Sequence, residues 1–241
     1  MKIQNLFSIL TLTFLTLTIF SCELDEICEK GDGATVSRTL ELDAFHSIVI
    51  DNAANVFLSQ GDRQKVVVEA QDNIIDLLDL DIDNETWTID FTRNCVRDFK
   101  DLNIYITLPD IQRLTIDGSG NLVGETVFVV DDLSLVIDGS GDMDIAAEVE
   151  ELNTRIQGSG DVKLEGFANI ARFFVRGSGD ISAFNLEAKD VDVEIRGSGD
   201  VEVFATDFLK VDIDGSGDVF YKGEPEITLR VDGSGELRNA N

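Results

Sequence analysis

Apolar and polar residues alternate strictly along most of the second half of the chain. In one stretch Val191, Val193 and Ile195 alternate with charged residues, and the alternation resumes after Gly197-Ser198-Gly199. A period of two residues predicts β-strands that bury one face. The glycines interrupt that period and predict a sharp corner, because glycine adopts backbone angles that a Cβ atom disfavours.

The Gly-Ser-Gly triplet recurs at nearly even spacing. Its seven copies begin at Gly118, Gly139, Gly158, Gly177, Gly197, Gly215 and Gly233. Subtraction of these positions gives gaps of 21, 19, 19, 20, 18 and 18 residues. A fixed period of this length predicts a stacked repeat whose units contact only their neighbours. At about 3.3 Å per residue, a coil of about 19 residues follows a closed path of roughly 60 Å. We therefore predict an all-β, single-stranded β-solenoid with Gly-Ser-Gly corners and almost no helix.

The first half of the domain carries a less regular version of this repeat. Residues 47–57 have the pattern of a coil in which Asn52-Ala53-Ala54 takes the place of Gly-Ser-Gly, and longer strands are predicted over 65–70, 80–91 and 102–108. A solenoid must cover the open end of its core. We therefore predict one domain over 36–241, with a cap and irregular coils over 36–115 and regular repeats over 116–238.

A few individual side chains extend this interpretation. Trp87 is predicted to lie in the core, and His46, the only histidine, is given no role. Most of the fifteen Phe residues are expected to point inward, including Phe173, Phe204 and Phe220. Few exposed aromatic rings would then remain for a sugar-binding platform.

The N-terminus has the pattern of a secretory signal. Lys2 precedes a mostly apolar run over 6–20, and Ser21-Cys22 follows. A charged start, a short apolar run and a small residue before the cleavage site are typical of a signal peptide. The apolar run is shorter than the roughly 20 residues that a transmembrane helix needs. Residues 19–22, Ile-Phe-Ser-Cys, resemble the lipobox of bacterial lipoproteins, whose Cys becomes the lipidated first residue. An ordinary signal peptide with an incidental Cys is the alternative.

The lipobox interpretation divides the N-terminus into a signal peptide over 1–21, lipidation at Cys22 and a tether over 22–35. Glu23, Asp25 and Glu26 follow at once. They resemble the acidic stretch that directs some lipoproteins of the Bacteroidetes to the outer face of the outer membrane. We therefore expect an exported protein, lipid-anchored to the outer membrane and exposed at the surface.

Cysteine usage agrees with export. If Cys22 carries lipid, Cys28 and Cys95 remain, which is an even number in an oxidising compartment. We predict that these two form a disulfide, with two free thiols as the alternative.

The chain is strongly acidic, with 47 acidic and 19 basic residues and a net charge of −28. Removal of Lys2 with the signal would bring the charge near −29, one unit below −28. A protein of this charge is a poor ligand for nucleic acid and is repelled by anionic lipid, so a covalent anchor is the more plausible attachment to a membrane.

Together these segments resemble a known family, the putative auto-transporter adhesin, head GIN domain family, which is common in lipoproteins of the Bacteroidetes. The resemblance lies in Arg38-Thr39-Leu40, in residues 45–50, in Val56 to Gly61 and in the Gly-Ser-Gly coils that follow, and it covers roughly 37–238. It implies a right-handed β-helix and a role at the surface or in the envelope, and it brings no catalytic residues. A similar shape occurs in "toast-rack" domains linked to envelope stress.

An acidic or amide residue follows every corner: Asn121, Asp142, Asp161, Asp180, Asp200, Asp218 and Glu236. In stacked coils these side chains form a column, and carboxylates about 5 Å apart repel each other by about 1 kcal/mol even in water. Structural Ca²⁺ held by the five Asp residues is one way to relieve the repulsion. The alternative is that each Asp caps its own corner by accepting backbone N–H bonds. Arg176 and Arg196, just before two corners, would then neutralise the middle coils.

Two functions fit these features, and catalysis is not one of them. The sequence has no Ser-His-Asp set, no phosphate-binding glycine loop and no His or Cys cluster for a metal. We expect no cofactor apart from the calcium considered above. The first function is an adhesin-like surface module whose ligand or protein partner is unknown. The second is a periplasm-facing structural or envelope-stress scaffold that associates end to end through an unpaired last strand.

Overall fold

The computed structural model describes residues 28–241 with the exception of residue 94. The predicted signal peptide over 1–21 and the lipidation site at Cys22 lie outside the described residues. In chain order the elements are β1 Glu29–Lys30, β2 Thr35–Leu40, β3 Ser47–Ile50, β4 Asn55–Gln60, β5 Lys65–Gln71, α1 Asp72–Ile75, β6 Ile82–Asp83, β7 Thr86–Ile89, β8 Val96–Arg97, β9 Asn103–Leu108, β10 Arg113–Ile116, β11 Asn121–Gly139, β12 Met143–Gly158, β13 Val162–Gly177, β14 Ile181–Gly197, β15 Val201–Gly215, β16 Val219–Lys222, β17 Glu226–Gly233 and β18 Leu237–Asn239. In this part of the chain the one helix has four residues, and no helix is long and apolar enough to cross a membrane.

The strands form the predicted β-solenoid. Each of β11 to β14 pairs in parallel with the strand that follows it along nearly its whole length, and each therefore makes most of one coil. The pairing is in register at the corners, where Gly139 lies opposite Gly158 and Gly177 opposite Gly197. Halfway round the coil the register shifts, for example between Ala183 and Glu187. The all-β solenoid with Gly-Ser-Gly corners is confirmed.

The corner glycines are required by close stacking. A Cβ atom on Gly177 would lie 2.2 Å from the carbonyl oxygen of Gly158, and one on Gly179 would lie 2.1 Å from that of Gly160. Gly177 also has a φ of 133°, in the region that side chains disfavour. The ladder continues through the corner, since the N–H of Ser178 donates to the Gly158 oxygen at 2.9 Å. At the corners, each coil therefore leaves no room for a side chain on the next coil.

The core is a narrow apolar column along the axis. Its layers come from equivalent inward positions, such as Leu135, Phe173 and Val193, all of which are buried. Thr154 takes one of these positions, and its Oγ1 has no hydrogen-bond partner. Phe204 and Phe220 were expected in the core, but both point outward and are half-buried. They stand at positions of the alternation whose side chains face solvent. The neighbouring residues, which are smaller, fill the core.

The N-terminal coils are not stacked in chain order. The β3–β4 coil, with Asn52-Ala53-Ala54 at its corner, lies between β7–β9 on one side and β10–β11 on the other. Its predicted corner is confirmed, because a Cβ atom on Gly118 would lie 2.9 Å from the Asn52 oxygen. The antiparallel strands β2 and β5 extend the sheet beyond β9. The predicted strand over 80–91 is instead the hairpin β6–β7, because Asn84 and Glu85 both have positive φ.

A buried indole and a surface ion-pair group anchor this end of the molecule. Trp87 is fully buried, as predicted, and its indole N–H donates to the Asp79 carbonyl oxygen at 2.9 Å. The guanidinium of Arg38 on β2 bonds to the carboxylates of Asp72 and Asp76, at either end of α1. The sequence pattern gave no sign of α1.

The opposite end of the solenoid is open. Ile227, Leu229 and Val231 on β17 lie opposite buried residues of β15, yet they are 39%, 49% and 39% exposed. Among the described residues no further strand pairs with β17 on its outer side. An apolar end face with free backbone groups therefore remains accessible.

Candidate functional site

The acidic residue after each corner bonds to the next coil. The Oδ1 atom of Asp142 accepts a hydrogen bond from the backbone N–H of Asp161 at 2.9 Å. The same bond recurs from Asp161, Asp180, Asp200 and Asp218 to the coil that follows, at 2.9, 2.7, 2.7 and 2.8 Å. The carbonyl oxygen of Asp161 in turn accepts the N–H of Met143. Each Asp therefore satisfies a backbone donor that the corner would otherwise leave without a partner.

This ladder resembles the capping alternative to calcium, with one difference. The carboxylate bonds to the corner of the following coil rather than to its own. In the described part of the chain, no three His, Cys, Asp or Glu side chains converge where they could hold a metal ion. The calcium site at Asp142, Asp161, Asp180, Asp200 and Asp218 stays a prediction, which chelation tests.

The arginines expected to neutralise the column do not pair with it. Arg196 pairs with Glu194 at 2.5 Å, and Arg176 makes no ion pair with any described residue. Arg238 does reach the column, with Nη2 3.0 Å from Oδ2 of Asp218. The guanidinium group of Arg196 instead lies 5.7 Å from the centre of the Phe174 ring.

The cysteines Cys28 and Cys95 are joined by a disulfide in the structure, with their Cα atoms 4.7 Å apart. The two-residue strands β1 and β8 pair next to it, and the N–H of Glu29 donates to the Cys95 oxygen. The start of the described chain is therefore tied to a segment 67 residues later.

His46 has neighbours that the sequence did not suggest. Its Nδ1 lies 3.0 Å from the Ser47 hydroxyl, and its Nε2 lies 3.0 Å from the Glu85 carboxylate. The backbone N–H groups of His46 and Ser47 also both donate to the Glu85 carbonyl oxygen. Ser47 is buried, and the group ties β3 to the β6–β7 turn. A Ser-His-Glu set thus exists, and its bonds to Glu85 join two coils.

Two of the depressions in the outer surface flank the corners. The first lies on the strands that follow the corners, has a volume of about 540 Å³, and includes Phe57, Val123 and Lys163. The ring of Phe57 stacks on Tyr105 at 5.0 Å. Lys163 contacts Asp144 and Glu165, and its hydrogen bond lowers the pKa of the Glu165 carboxyl. The basic group here is already neutralised.

The second depression lies on the strands that lead into the corners and has a volume of about 590 Å³. We call this surface the arginine face and define it by Arg113, Arg155, Arg172 and Phe174, which line it together with the carboxylates of Asp192 and Glu194. The Cζ atoms of Arg155 and Arg196 lie 4.7 and 5.7 Å from the centre of the Phe174 ring. Such distances allow cation–π attraction from both guanidinium groups to one ring. This surface was not among the predicted sites.

Comparison with solved structures gives relatives of the same shape. A crystal structure of a putative adhesin from Bacteroides fragilis is 30% identical, with a TM-score of 0.83, and the match covers 87% of this chain and 99% of that one. A putative lipid binding protein from Parabacteroides distasonis is 24% identical, with a TM-score of 0.74 and coverage of 88% and 99%. A putative adhesin from Parabacteroides merdae is 22% identical, with a TM-score of 0.73 and coverage of 88% and 98%. The last two show the fold alone.

Comparison by sequence agrees with the structural relatives. No curated protein matches the chain significantly. The family profile described as "Putative auto-transporter adhesin, head GIN domain" matches residues 44–225, which include the Asn-Ala-Ala corner and six of the seven Gly-Ser-Gly corners. On this evidence the chain belongs to the putative auto-transporter adhesin, head GIN domain family.

Proposed function

We propose that this protein is a non-catalytic lipoprotein of the cell envelope, anchored through Cys22, that displays its solenoid at the outer surface as an adhesin-like binding module. The observation that carries the proposal is the register of the coils. Outward side chains repeat at fixed spacing on a body whose corners are locked by backbone contacts. Such a surface is ordered before it meets a ligand, which lowers the entropic cost of binding.

The family and the N-terminal sequence support the same proposal. The relatives at 30% and 22% identity are named putative adhesins. Coils of 18–21 residues leave little chain for loops that could form a catalytic cleft over the described repeats. The lipobox-like residues before Cys22 supply the anchor.

Protease treatment of intact cells tests the location. The full chain should disappear from intact cells on treatment, while a periplasmic marker survives until lysis. A Cys22→Ser variant should lose its acyl chain, which metabolic labelling with a fatty acid detects, and should leave the membrane fraction. Protection of the parent chain until lysis would contradict surface display, and acyl labelling of Cys22→Ser would contradict the anchor site.

A second function, a periplasm-facing scaffold of stacked molecules, is favoured by the open end. The exposed side chains of Ile227, Leu229 and Val231 and the free edge of β17 could accept a further strand. Light scattering should then show a mass that rises with concentration, and Leu229→Lys should abolish the rise. A parent chain that stays monomeric at high concentration would remove this alternative.

A further inference from the structure

One row of outward side chains changes from aromatic to charged along the axis of the solenoid. It reads Tyr105, Phe57, Val123, Asp144 and Lys163, and each of these residues lies opposite the next in paired strands. The two aromatic rings are half-buried, and Val123 is 38% exposed. The expectation that few aromatic rings face solvent therefore does not hold for this row, which places apolar and hydrogen-bonding groups side by side.

Phe57 forms one wall of the depression on this face, whose volume is about 540 Å³. Its ring stacks on Tyr105, with the ring centres 5.0 Å apart and the planes 16° apart. Because this distance is close to the spacing of paired strands, the two rings follow one another along the axis. The second face of the Phe57 ring is therefore turned away from Tyr105 and towards Val123, whose shorter side chain leaves space above it.

Groups that can bond to hydroxyls line the rest of the depression. The Oδ1 atoms of Asp142 and Asp161 each accept a backbone N–H at 2.9 Å, and the second oxygen of each carboxylate accepts no hydrogen bond from any residue that the structure describes. Nζ of Lys163 lies 3.1 Å from Oδ2 of Asp144, and these side chains are 51% and 50% exposed. A donor and an acceptor this close together match two adjacent hydroxyl groups on one sugar ring.

We propose that this depression, which we call the Phe57 site and define by Phe57, Val123, Asp142, Asp144 and Lys163, binds a neutral sugar. One sugar ring packs on Phe57 above Val123, because the partly negative face of an aromatic ring attracts C–H groups. The hydroxyls of the sugar bond to Asp142, Asp144 and Lys163. The site has the volume of a small-ligand site and combines an apolar wall with a few polar groups. The proposal rests on the proposed function, because a module displayed at the surface meets the glycans of other cells and matrices.

Charged sugars and peptides fit the Phe57 site less well. The carboxylates that line it and the net charge of −28 repel an acidic sugar. An amino sugar would have to displace Lys163 from Asp144 and Glu165, which already hold a cation. A peptide that adds to a sheet needs free backbone groups, and the strands that carry the site each pair on both sides. A neutral sugar needs only the aromatic ring and the partners of its hydroxyls.

Calorimetric titration of the full chain in detergent tests the site. The probes are the neutral trisaccharides of glucose, mannose and galactose, and the uronic acid trisaccharide that corresponds to each. At least one neutral trisaccharide should bind with a Kd of about 1 mM or below, and its uronic acid counterpart should bind at least about tenfold more weakly. The affinity for the neutral sugar should change by less than about twofold between low and high salt, because the ligand forms no ion pair.

Phe57→Ala should weaken the binding of that neutral trisaccharide at least about tenfold, because the sugar ring loses the surface on which it packs. Phe220→Ala is the matched control. Phe220 is also half-buried and stands in the same outward row, three coils beyond Lys163 and outside the depression. This variant should bind the sugar within about twofold of the parent chain.

A second pair of variants tests the hydrogen-bonding groups. Asp144→Ala/Lys163→Ala removes a donor and an acceptor without a change in net charge, and should weaken binding at least about tenfold. Asp192→Ala/Lys210→Ala is its control, because it removes an ion pair of 2.8 Å that lies outside the Phe57 site. The control should bind the sugar within about twofold of the parent chain. Circular dichroism checks that each variant keeps its strand content.

Three outcomes would overturn the proposal. They are no binding of any neutral trisaccharide up to about 10 mM, equal binding of a neutral trisaccharide and its uronic acid counterpart, and equal effects of a site variant and its control. Titration of the purified chain is independent of protease shaving, so a failed sugar site and a failed surface location can be told apart.

Discussion

A single methyl group added at the second glycine of a central corner probes how closely the coils stack. In Gly179→Ala the new Cβ atom would lie 2.1 Å from the Gly160 carbonyl oxygen, whereas ordinary contacts begin at 3.4 Å. The difference, 1.3 Å, is the distance by which the two coils must separate locally. The neighbouring bond from the Ser178 N–H to the Gly158 oxygen would lengthen from 2.9 Å to about 4.2 Å, which is no longer a hydrogen bond.

The expected cost follows from these distances. Overpacking costs about 1–3 kcal/mol, and each lost backbone bond adds about 0.5–1.5 kcal/mol. Gly179→Ala should therefore lower the free energy of unfolding by about 1.5–4.5 kcal/mol, a large share of a typical domain's stability. Gly177→Ala should cost more, because its φ of 133° adds backbone strain to a similar overlap.

Urea titration followed by far-UV circular dichroism measures the loss. Fluorescence of the single Trp87 gives a second probe at the N-terminal end, and coincident curves test two-state unfolding. Ser178→Ala is the control, since Ser178 is exposed within the same corner and should change stability by less than about 0.5 kcal/mol. If Gly179→Ala costs no more than Ser178→Ala, the claim that the coils stack this closely at the corner is wrong.

Four further outcomes are expected. Asp180→Ala should cost about 1–2 kcal/mol in urea titration, because the N–H of Asp200 loses its acceptor. Asp180→Asn keeps an acceptor oxygen and should cost less than about 0.5 kcal/mol, and equal losses would contradict the role of these hydrogen bonds between coils. Cys28→Ser should cost about 2–4 kcal/mol, since the disulfide closes a loop between residues 67 apart. Reductant should destabilise the parent chain but not the variant, and a parent chain insensitive to reductant would refute this. Exhaustive chelation should shift Tm by less than about 1 °C, because one oxygen of each column carboxylate already bonds to backbone; a larger fall restored by Ca²⁺ would establish the calcium site. Burial, with smaller contributions from neighbouring acids, raises the pKa of Asp51, so the charged form of this residue lowers the stability of the folded state. Asp51→Asn should therefore stabilise the protein by less than about 1 kcal/mol at neutral pH. A gain that persists below the ordinary pKa of 3.8 would contradict this cause.

The regular coils were predictable because their determinants are local. Alternation sets which side chains face the core, and the spacing of Gly-Ser-Gly sets the coil length. The same counting identified Asn52-Ala53-Ala54 as a corner before any contact was known. The same spacing also predicts part of the arginine face. Arg155 and Phe174 both stand three residues before a Gly-Ser-Gly triplet, so they must be neighbours in adjacent coils.

The order of the N-terminal coils was not predictable in this way. The β3–β4 coil lies between later segments of the chain, and this order depends on pairing between strands far apart in sequence. The contacts of His46 with Glu85 arise from the same long-range pairing. Phe204 was placed wrongly because its size suggested the core, whereas the phase of the alternation, which places Val203 and Ala205 inside, directs it outward.

The bond between Cys28 and Cys95 determines how mechanical load enters the molecule. Tension applied on the N-terminal side of Cys28 passes through the disulfide to Cys95 and continues from there along the chain. The intervening segment, which contains β2 to β7, lies outside this path and is not pulled. Under tension the backbone between the two cysteines would thus carry no load, and reduction of one covalent bond would place that segment in the load path.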